Sequence, residues 1–415
     1  MAIVRPFKGI RPDKNLVDKI ASLPYDVMNR EEARKMAEGN DDSFLHVVRS
    51  DIDFSDEVSQ YDEKVYDKAR INLDDFIDKK KMLQDGKPIY YIYRQIMFGR
   101  VQTGLVACTS IDEYINGTIK KHEFTRPEKE EDRINNFDRC DANTAPIFMT
   151  YKKNDKITKM INDWIKFNKP VYDFKSEDEI THIVWTIDNE SVVEELQSLF
   201  FNVDYLYIAD GHHRTASSVK VGLKRREENP DYKESDEFNY FMSVIFPDED
   251  LFIMDYNRVV KDLNGNNVEE FMTKVKEKFE VEKSNGDSPY RPLEKHSFGM
   301  YLEGSWYSLK AKKGSFDPKD PVDRLDVSIL QNNLLSNILD IKDPRTDKRI
   351  DFIGGIRGLE ELERRVENGM AVAFSMYPTT MDDLIDIADA GEVMPPKSTW
   401  FEPKLRSGLF VHRLK

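Results

Sequence analysis

Thiols are scarce in this chain: Cys108 and Cys140 are the only cysteines among 415 residues. Two cysteines cannot build the disulfide framework of a small secreted protein or a four-cysteine metal site. Long apolar runs are also lacking, since no stretch approaches the roughly 20 residues of a membrane-spanning helix and the N-terminus lacks the apolar core of a signal peptide. We therefore expect a cytoplasmic protein that has no part in a membrane.

Positive charge is in deficit, because 62 Lys and Arg face 77 Asp and Glu, which gives a formal net charge of −15. Such a surplus of negative charge disfavours sequence-independent binding to nucleic acid or to an anionic membrane face. A pocket can be positive on a negative protein, so small anions remain candidate ligands. We expect a small-molecule partner and no nucleic acid, and the sequence leaves a homodimer open.

Bulky core material is abundant, with 24 Phe, 18 Tyr and 39% hydrophobic residues. A globular chain of this length is expected to form two or three subdomains. Strand and helix patterns alternate along it, which favours α/β layers. Four segments are predicted: an N-terminal α/β segment at 1–119, a ligand-binding core at 120–255, a small α+β insertion at 256–325, and a C-terminal α/β segment at 326–415 that completes the site.

Apolar periodicity predicts the individual elements. Strands are predicted at residues 2–4, 89–97, 104–111, 146–151, 181–187, 205–208, 241–246, 298–302, 306–311, 371–376 and 408–413. Helices are predicted at residues 61–80, 156–167, 191–200, 215–228, 268–279, 327–339, 359–367 and 381–390.

The most informative stretch is residues 206–216, Leu-Tyr-Ile-Ala-Asp-Gly-His-His-Arg-Thr-Ala. An apolar strand ends there in a glycine turn crowded with ionisable groups, and a helix begins at the histidines. Free N–H groups at a helix start, with the positive end of the helix dipole behind them, favour phosphate or carboxylate. Arg214 adds a planar fork of donors, and Gly211 lets the backbone approach a ligand without a Cβ in the way. The turn is therefore predicted to hold an anion.

Asp210 is the exception in this turn, because a carboxylate beside an anion site repels the anion unless it has a task of its own. It could hold a cation, orient a histidine or accept a proton from a nucleophile. Adjacent His212 and His213 cannot both point inward from regular structure, so a two-histidine metal site is not expected. The alternative is a polar turn with a helix cap and solvent-facing histidines, but five such residues in succession favour a functional site.

A second candidate segment is the charge-dense stretch at residues 120–139, which includes Lys-His-Glu-Phe-Thr-Arg at 121–126. Acids and bases are too dense there for a core element. Glu123 could act as a base, and Arg126, Lys129 and Arg133 could clamp phosphates. The alternative is a solvated face without function.

Near the N-terminus, Leu-Pro-Tyr-Asp at residues 23–26 places Asp26 either at a site or in a structural turn that the aspartate caps. Arg5 stands in a turn-rich segment with other cations and is a candidate partner for a substrate carboxylate.

Near the C-terminus, Thr379 and Thr380 precede a predicted helix, which one of them is expected to cap. Consecutive prolines before Lys397 and Ser398 replace the glycines of a phosphate-binding loop and remove its N–H donors. They form a stiff support that could aim both side chains at a ligand, and Lys397 is a second candidate partner for a substrate carboxylate.

Several of these motifs occur together and in order. They are Leu-Pro-Tyr-Asp-Val at 23–27, Lys-His-Glu at 121–123 with Thr125 and Asp132-Arg133, Pro-Ile-Phe at 146–148, Asp-Gly-His-His-Arg at 210–214, Tyr-Pro-Thr-Thr at 377–380, and residues 394–409. Together they resemble, over the whole chain, the family called domain of unknown function 1015. The turn at 210–214 also resembles the nucleotide site of the ParB and sulfiredoxin-like fold. Free-serine kinases share that turn, with a preceding glutamate that activates the serine hydroxyl.

The resemblance implies a mixed α/β (α+β) fold with a ParB/sulfiredoxin-like core, extended by the N- and C-terminal segments and the small insertion. It also implies a kinase that transfers the γ-phosphate of ATP, or alternatively uses ADP, to the hydroxyl of free L-serine and forms O-phospho-L-serine, with Mg²⁺ as cofactor. Such chemistry depends mainly on positioning and charge stabilisation, with one carboxylate to receive the hydroxyl proton.

Carried over to this sequence, the resemblance assigns roles to individual residues. Asp210 would bind Mg²⁺, and the catalytic residues would be Glu123, Asp210 and His213, with Glu123 as the base and Asp26 or Asp210 as alternatives for that role. The nucleotide phosphates would be bound by Gly211, His212, His213, Arg214, Thr215, Arg126, Lys129 and Arg133. L-Serine would be bound by Arg5, Asp26, His122, Thr379, Lys397 and Ser398.

Two other classes of function fit the same motifs. A nucleotide-binding regulatory switch of the ParB type is one alternative, although the acidity of the chain and the lack of a recognisable helix-turn-helix count against a DNA partner. A nucleotide or phosphate-ester hydrolase, with water as the acceptor, is the other.

Overall fold

The computed structural model describes residues 1–284, 286 and 288–415 of the chain. Its contacts divide the chain into two compact units. The first unit comprises Met1–Leu251 and Pro403–Lys415, and the second comprises Phe252–Glu402.

Strands and helices alternate along both units. The strands are β1 (Val4–Arg5), β2 (Ile10–Pro12), β3 (Met82–Gln84), β4 (Tyr90–Met97), β5 (Arg100–Ser110), β6 (Ile119–Lys120), β7 (Ala142–Asn143), β8 (Ile147–Tyr151), β9 (Tyr172–Lys175), β10 (Thr181–Ile187), β11 (Leu206–Asp210), β12 (Tyr240–Pro247), β13 (Tyr256–Val260), β14 (Phe279–Lys283), β15 (Ser297–Leu302), β16 (Ser305–Ala311), β17 (Ile350–Gly354), β18 (Val372–Met376) and β19 (His412–Arg413). The α-helices are α1 (Val17–Ile20), α2 (Arg30–Ala37), α3 (Leu45–Val48), α4 (Glu63–Asp78), α5 (Ile111–Ile115), α6 (Pro127–Cys140), α7 (Asp155–Phe167), α8 (Glu190–Phe201), α9 (His212–Glu228), α10 (Val268–Lys278), α11 (Asp326–Leu330), α12 (Glu360–Glu367) and α13 (Met381–Asp389). The predicted mixed α/β class is confirmed.

The first unit is built on a mixed sheet with the strand order β6-β11-β8-β12-β5-β4-β10-β9, and β1 pairs with β5 beside this path. β8 and β12 run parallel, as do β6 and β11, while the other pairs are antiparallel. Every residue of β8 is buried, which suits a strand covered on both faces. The predicted hairpin of β4 and β5 is confirmed by their continuous antiparallel register.

Two helices supply much of the apolar core of this sheet. Ile157 and Ile161 of α7 and Leu196 and Phe200 of α8 belong to one buried cluster with strand residues such as Met149. These helices have the apolar spacing that the sequence shows, so their prediction is confirmed to within one or two residues at each end.

The charge-dense stretch at 120–139 forms β6 and then α6, and the expectation that it is too charged for a core element is wrong for part of α6. Asp132 and Arg133 are buried. Arg133 donates from Nε and Nη2 to Asp132 at 3.0 and 2.8 Å, and Tyr66 donates to the same carboxylate at 3.0 Å. Buried charges are tolerated when they are paired and hydrogen-bonded. Charge density alone could not reveal that pairing.

The second unit contains a sheet with the strand order β14-β16-β15-β18-β13-β17. This sheet joins strands from residues 256–311 to strands from residues 350–376, so the predicted boundary between 325 and 326 falls inside one sheet. The first unit likewise joins strands from both sides of the predicted boundary between 119 and 120. The units thus have different limits from the four segments that the sequence predicts, because strand pairing is non-local.

Two predicted elements of the C-terminal region are shorter in the structure. The helix predicted at 327–339 is α11 followed by a π-helical turn at Gln331–Leu335. The strand predicted at 408–413 is reduced to β19, which pairs with β7. Thr380 caps α13 by accepting from Asp383 N, as expected for one of the two threonines.

Two adjacent phenylalanines of α8 allow a test of which side chains form the apolar core of the first unit. Phe200 is 0% exposed, whereas Phe201 is 48% exposed. We expect Phe200→Ala to lower the free energy of unfolding of the first unit by about 3–5 kcal/mol, because it leaves a cavity. Phe201→Ala, the matched control, should change it by no more than about 0.5 kcal/mol. Urea unfolding followed by circular dichroism measures both, and equal effects would contradict the packing described.

Candidate functional site

The turn after β11 is shaped by Gly211, which has a φ of +96° and precedes α9. A side chain would be strained at that φ, and a Cβ there would also lie 3.0 Å from Nε of Arg214. β11 carries a register shift against β8 between Ile208 and Asp210. Its last residue is therefore offset from the regular ladder, directly before the turn. The predicted helix start at the histidines is confirmed.

The first turn of α9 has no capping side chain among the described residues. The first N–H groups of a helix have no partner within the helix, so those of His212, His213 and Arg214 are available to an acceptor. Thr215 is different: its N–H and its Oγ1 both donate to the Gly211 carbonyl, at 2.9 and 3.1 Å, and it is 0% exposed. Thr215 thus stabilises the turn.

Arg214 is buried and directed into the protein. It donates from Nη1 to the Pro146 carbonyl at 2.6 Å, and its Nη2 lies 3.5 Å from Oδ2 of Asp210. Its Nε is buried without a hydrogen-bond partner in the described part of the chain. The guanidinium therefore packs against Gly211 inside the protein and stabilises the turn. It does not point toward solvent as a free pair of donors.

Asp210 lies between two cations. Lys404 Nζ is 3.5 Å from its Oδ2, the same distance as Arg214 Nη2. Burial by itself would raise the pKa of Asp210, but the Lys404 ammonium and then the Arg214 guanidinium hold that pKa well below its ordinary value. Asp210 is therefore ionised, and Lys404 and Arg214 offset its charge.

His122 and His212 form a buried pair with ring centroids 4.5 Å apart and an interplanar angle of 87°. The His122 backbone N–H donates to Nε2 of His212 at 3.4 Å. Burial, and next the His122 ring, lower the pKa of His212 well below its ordinary value, while burial lowers the pKa of His122 to about 4. Neither ring nitrogen of His122 has a partner in hydrogen-bond geometry among the described residues. Both rings are therefore neutral at neutral pH.

Glu123 and Arg126 lie beside the start of α9. Oε2 of Glu123 is 3.6 Å from Nδ1 of His212, and Arg126 N donates to Nε2 of His213 at 3.0 Å. Because Nε2 accepts in each histidine, Nδ1 carries the ring proton. Each histidine of the turn thus holds one residue of the 121–126 segment.

Charged side chains surround His213, which is half-buried. Burial, and next the charge of Arg126, lower its pKa, with Lys129 acting in the same direction. Asp26 and Glu130 act in the opposite direction. Two separate sequence signals, the Leu-Pro-Tyr-Asp motif with Asp26 and the charge-dense stretch with Arg126 and Lys129, therefore place charges within electrostatic range of one ring.

Glu130 has partners of its own on α9 and in the preceding loop. Lys220 Nζ and Thr125 Oγ1 donate to its two carboxylate oxygens. Burial opposes ionisation of Glu130, but Lys220 and Thr125 lower its pKa. These contacts fix the start of α6 against α9.

Arg133 and Arg5 have structural partners instead of facing the turn. The Arg133 guanidinium lies 3.9 Å over the Tyr25 ring and pairs with Asp132. Arg5 pairs with Glu237 and lies 3.9 Å over the Tyr240 ring. Both cations therefore brace the packing of the first unit.

Three predicted substrate residues belong to the second unit. Thr379 Oγ1 donates to the Ser398 carbonyl at 2.8 Å, and Ser398 Oγ donates to the Pro395 carbonyl at 2.6 Å. Lys397 is exposed, and its Nζ lies 5.5 Å from the centroid of the Tyr256 ring. The two hydroxyls thus hold the shape of the proline-rich loop.

Lys404 is the residue of this site that sequence reasoning missed. It follows a proline near the end of the chain, in a segment that returns to the first unit. No local periodicity links residue 404 to residue 210. Its sequence signal is its place in residues 394–409, one of the motifs of the family resemblance.

Among the described residues, no group of three or more histidine, cysteine, aspartate or glutamate side chains is arranged to hold a metal ion. In residues 1–284, 286 and 288–415, no helix combines the length and the apolar character needed to cross a bilayer. Both cysteines are buried as free thiols.

Comparison with known protein families shows the family of this chain. The model of the family described as "Protein of unknown function (DUF1015)" matches residues 4–328, so this protein belongs to that family, as its motifs predict. No curated protein matches it.

Solved structures show a partial likeness. "Free serine kinase in complex with AMP" is 14% identical, with a TM-score of 0.36 over 71% of this chain and 86% of that one. A conserved hypothetical protein from Pyrococcus furiosus is 16% identical, with a TM-score of 0.36 over 73% and 93%. SbnI with a C-terminal truncation, from Staphylococcus aureus, is 10% identical, with a TM-score of 0.37 over 73% and 85%. These scores are too low to carry a function over to this chain.

The neutral histidine pair predicts a pH dependence of stability. Folding lowers the pKa of His122 from 6.5 to about 4, so between these values the unfolded chain binds more protons than the native one. Stability should therefore fall as the pH drops from 6.5 to 4, and His122 should account for about 3 kcal/mol of that fall. His122→Phe, which keeps an edge-on ring, should make this part of the profile less steep, while His212 and His213, whose pKa values are also lowered, keep some of the slope.

His46 provides the control, because a hydrogen bond to Asp53 raises its pKa, so its titration lies above pH 6.5. His46→Gln should leave the slope between pH 6.5 and 4 unchanged. Urea unfolding at intervals of half a pH unit measures all three proteins. A His122→Phe profile parallel to the wild type would contradict a buried neutral His122.

Proposed function

We propose that the turn at residues 210–214 binds the phosphates of a nucleotide, and that the protein is an ATP-dependent kinase with free L-serine as the acceptor. The observation that carries this proposal is the uncapped start of α9, which is flanked by the cations Arg126 and Lys129 and by the carboxylate of Glu123. Helix-start N–H groups with nearby cations favour polyphosphate, and a carboxylate at the same place can accept a hydroxyl proton.

The phosphate contacts divide into direct and supporting ones. The N–H groups of His212, His213 and Arg214 would face the phosphate oxygens, and the side chains of Arg126 and Lys129 would neutralise them. The Arg214 side chain, held by Pro146 and Asp210, would position the turn. Phosphoryl transfer needs mainly such positioning and charge stabilisation.

Glu123 is the proposed general base. Asp210 is a weak base, because Lys404 and Arg214 hold its pKa low. Glu123 is 44% exposed at its side chain and lies 3.6 Å from His212, so it can face both solvent and the turn. Asp26, which is exposed and within electrostatic range of His213, is the second candidate. His213, with its Nδ1 proton, would donate to the transferred phosphoryl group.

Mg²⁺ is proposed as a partner of the phosphates. It usually keeps several waters and binds proteins through one or two carboxylates, so it does not need a cluster of three ligands. Asp210, which is ionised, would supply that carboxylate. The ion would offset the negative charge that develops on the transferred group.

The acceptor is proposed from the resemblance of the turn to that of free-serine kinases, with O-phospho-L-serine as the product. Thr379, Lys397, Ser398 and Arg5 remain the candidates for binding the amino acid, and ADP remains the alternative donor. Lys397 is exposed, whereas Arg5 is paired with Glu237.

One assay separates this proposal from its alternatives. The purified protein is incubated with ATP and Mg²⁺ and with each amino acid in turn, while ADP and phosphoamino acid are measured. We expect turnover only with L-serine. ADP release without serine would favour a hydrolase, and binding without turnover would favour a regulatory switch.

In that assay Glu123→Gln, which keeps the size of the side chain, should leave the ATP dissociation constant nearly unchanged. It should lower kcat by roughly 10²-fold or more, because the hydroxyl proton loses its acceptor. Asp26→Asn is the matched variant and should retain most of its turnover. A large loss in Asp26→Asn together with an active Glu123→Gln would move the role to Asp26.

Arg126 allows a test of phosphate binding that spares the turn. Its contact with His213 is made by the backbone N–H, so Arg126→Ala removes only the exposed guanidinium. We expect about a tenfold weaker affinity for ATP, the effect of losing one charged hydrogen bond. Isothermal titration calorimetry measures it, with Lys166→Ala on α7 as a charge-matched control. Equal affinities in the two variants would place the phosphates elsewhere.

A further inference from the structure

Phe124 is an exposed aromatic side chain in the middle of the charged 121–126 segment. It is 69% exposed, whereas the large aromatic residues of β4, Tyr90, Tyr91 and Tyr93, are each 0% exposed. Leaving a phenyl ring in water forgoes the hydrophobic stabilisation that its burial would give. Single exposed rings are common, as Phe167 at 76% exposure shows, so the inference depends on where Phe124 lies.

The backbone around Phe124 is held in place on both sides. The His122 N–H donates to His212 at 3.4 Å, and the Arg126 N–H donates to His213 at 3.0 Å. Because consecutive Cα atoms are about 3.8 Å apart, the Phe124 Cα lies within about 8 Å of the Cα atoms of both anchored residues. The ring therefore projects from a loop that is fixed beside the start of α9.

The neighbours of the ring define what it can recognise. Arg126 and Lys129 follow it in the same segment and suit phosphates, while the ring itself is flat and apolar. A ligand that complements both combines a polyphosphate with a planar aromatic group. Bases of nucleotides stack on protein aromatic rings in this way.

We propose that Phe124 stacks on the adenine base of the bound nucleotide and so sets the preference for ATP over simple polyphosphates. This inference rests on the proposed function, since it presupposes phosphates at the turn of residues 210–214. It adds a recognition element that no part of the turn supplies, because backbone N–H groups and cations bind any polyphosphate alike.

The test compares two ligands that differ in the base. Dissociation constants for ATP and for inorganic tripolyphosphate, each with Mg²⁺, are measured by calorimetry on the full chain. Phe124→Ala should weaken ATP binding by about 5- to 100-fold, the range for losing one base–aromatic stack, and should leave tripolyphosphate binding unchanged. Phe124→Tyr, which keeps the ring, should bind ATP nearly as the wild type does.

Phe167→Ala is the matched control, because Phe167 is 76% exposed at the end of α7. It should alter neither constant. Unchanged ATP affinity in Phe124→Ala, or an equal loss for both ligands, would overturn the stacking. A changed oligomeric state in Phe124→Ala with unchanged ATP affinity would also overturn it, because the ring would then serve contact between copies.

The same measurements distinguish the two proposals. A wild-type protein that binds tripolyphosphate as tightly as ATP would overturn base recognition and keep the phosphate site. A wild-type protein that binds neither ligand would overturn the proposed function, and the stacking with it.

Discussion

The candidate site depends on the parallel pairing of β6 with β11, in which Ile119 is opposite Leu206 and Lys120 is opposite Tyr207. The pairing ends at Lys120 and Tyr207, so the chain after β6 leaves the sheet beside the last residues of β11, which continues to Asp210 directly before the turn. This places the segment 121–126 against the start of α9, although the two are far apart in sequence.

The histidines of the turn make this placement specific. His212 and His213 each accept a backbone N–H through Nε2, one from His122 and one from Arg126. A protonated ring has no acceptor nitrogen, so both bonds require neutral histidines. Burial supplies that neutrality by lowering the pKa of both rings. The two adjacent histidines thus fix two points of one loop.

Local signals predict those parts of the fold that depend on local chemistry. The hairpin of β4 and β5, the helices α7 and α8, and the strand–glycine–helix turn all follow from periodicity, glycine and helix-start patterns. Each of these elements is specified within some 20 residues of sequence. These local signals were sufficient to predict the mixed α/β fold class and the turn at residues 210–214.

Long-range pairing set the limit of prediction. The burial of Arg133 depends on Tyr25 and Asp132, and the position of Lys404 depends on the return of residues 403–415 to the first unit. The second sheet likewise joins strands that the sequence assigns to two segments. None of these contacts has a periodic signature, because each partner is chosen by the tertiary fold. Sequence therefore identified most of the charged residues but not which of them are already paired.

The pairing of Asp210 with Lys404 and Arg214 reduces the repulsion between this carboxylate and a phosphate at the turn. Asp210 is ionised, but Lys404 and Arg214 each lie 3.5 Å from its Oδ2, so the three side chains together carry a positive charge. Arg126 and Lys129 add positive charge on the side of His213. On a chain with a net charge of −15, these nearby cations offset the charge of Asp210, because interactions at a few ångströms outweigh distant charges that solvent and salt screen.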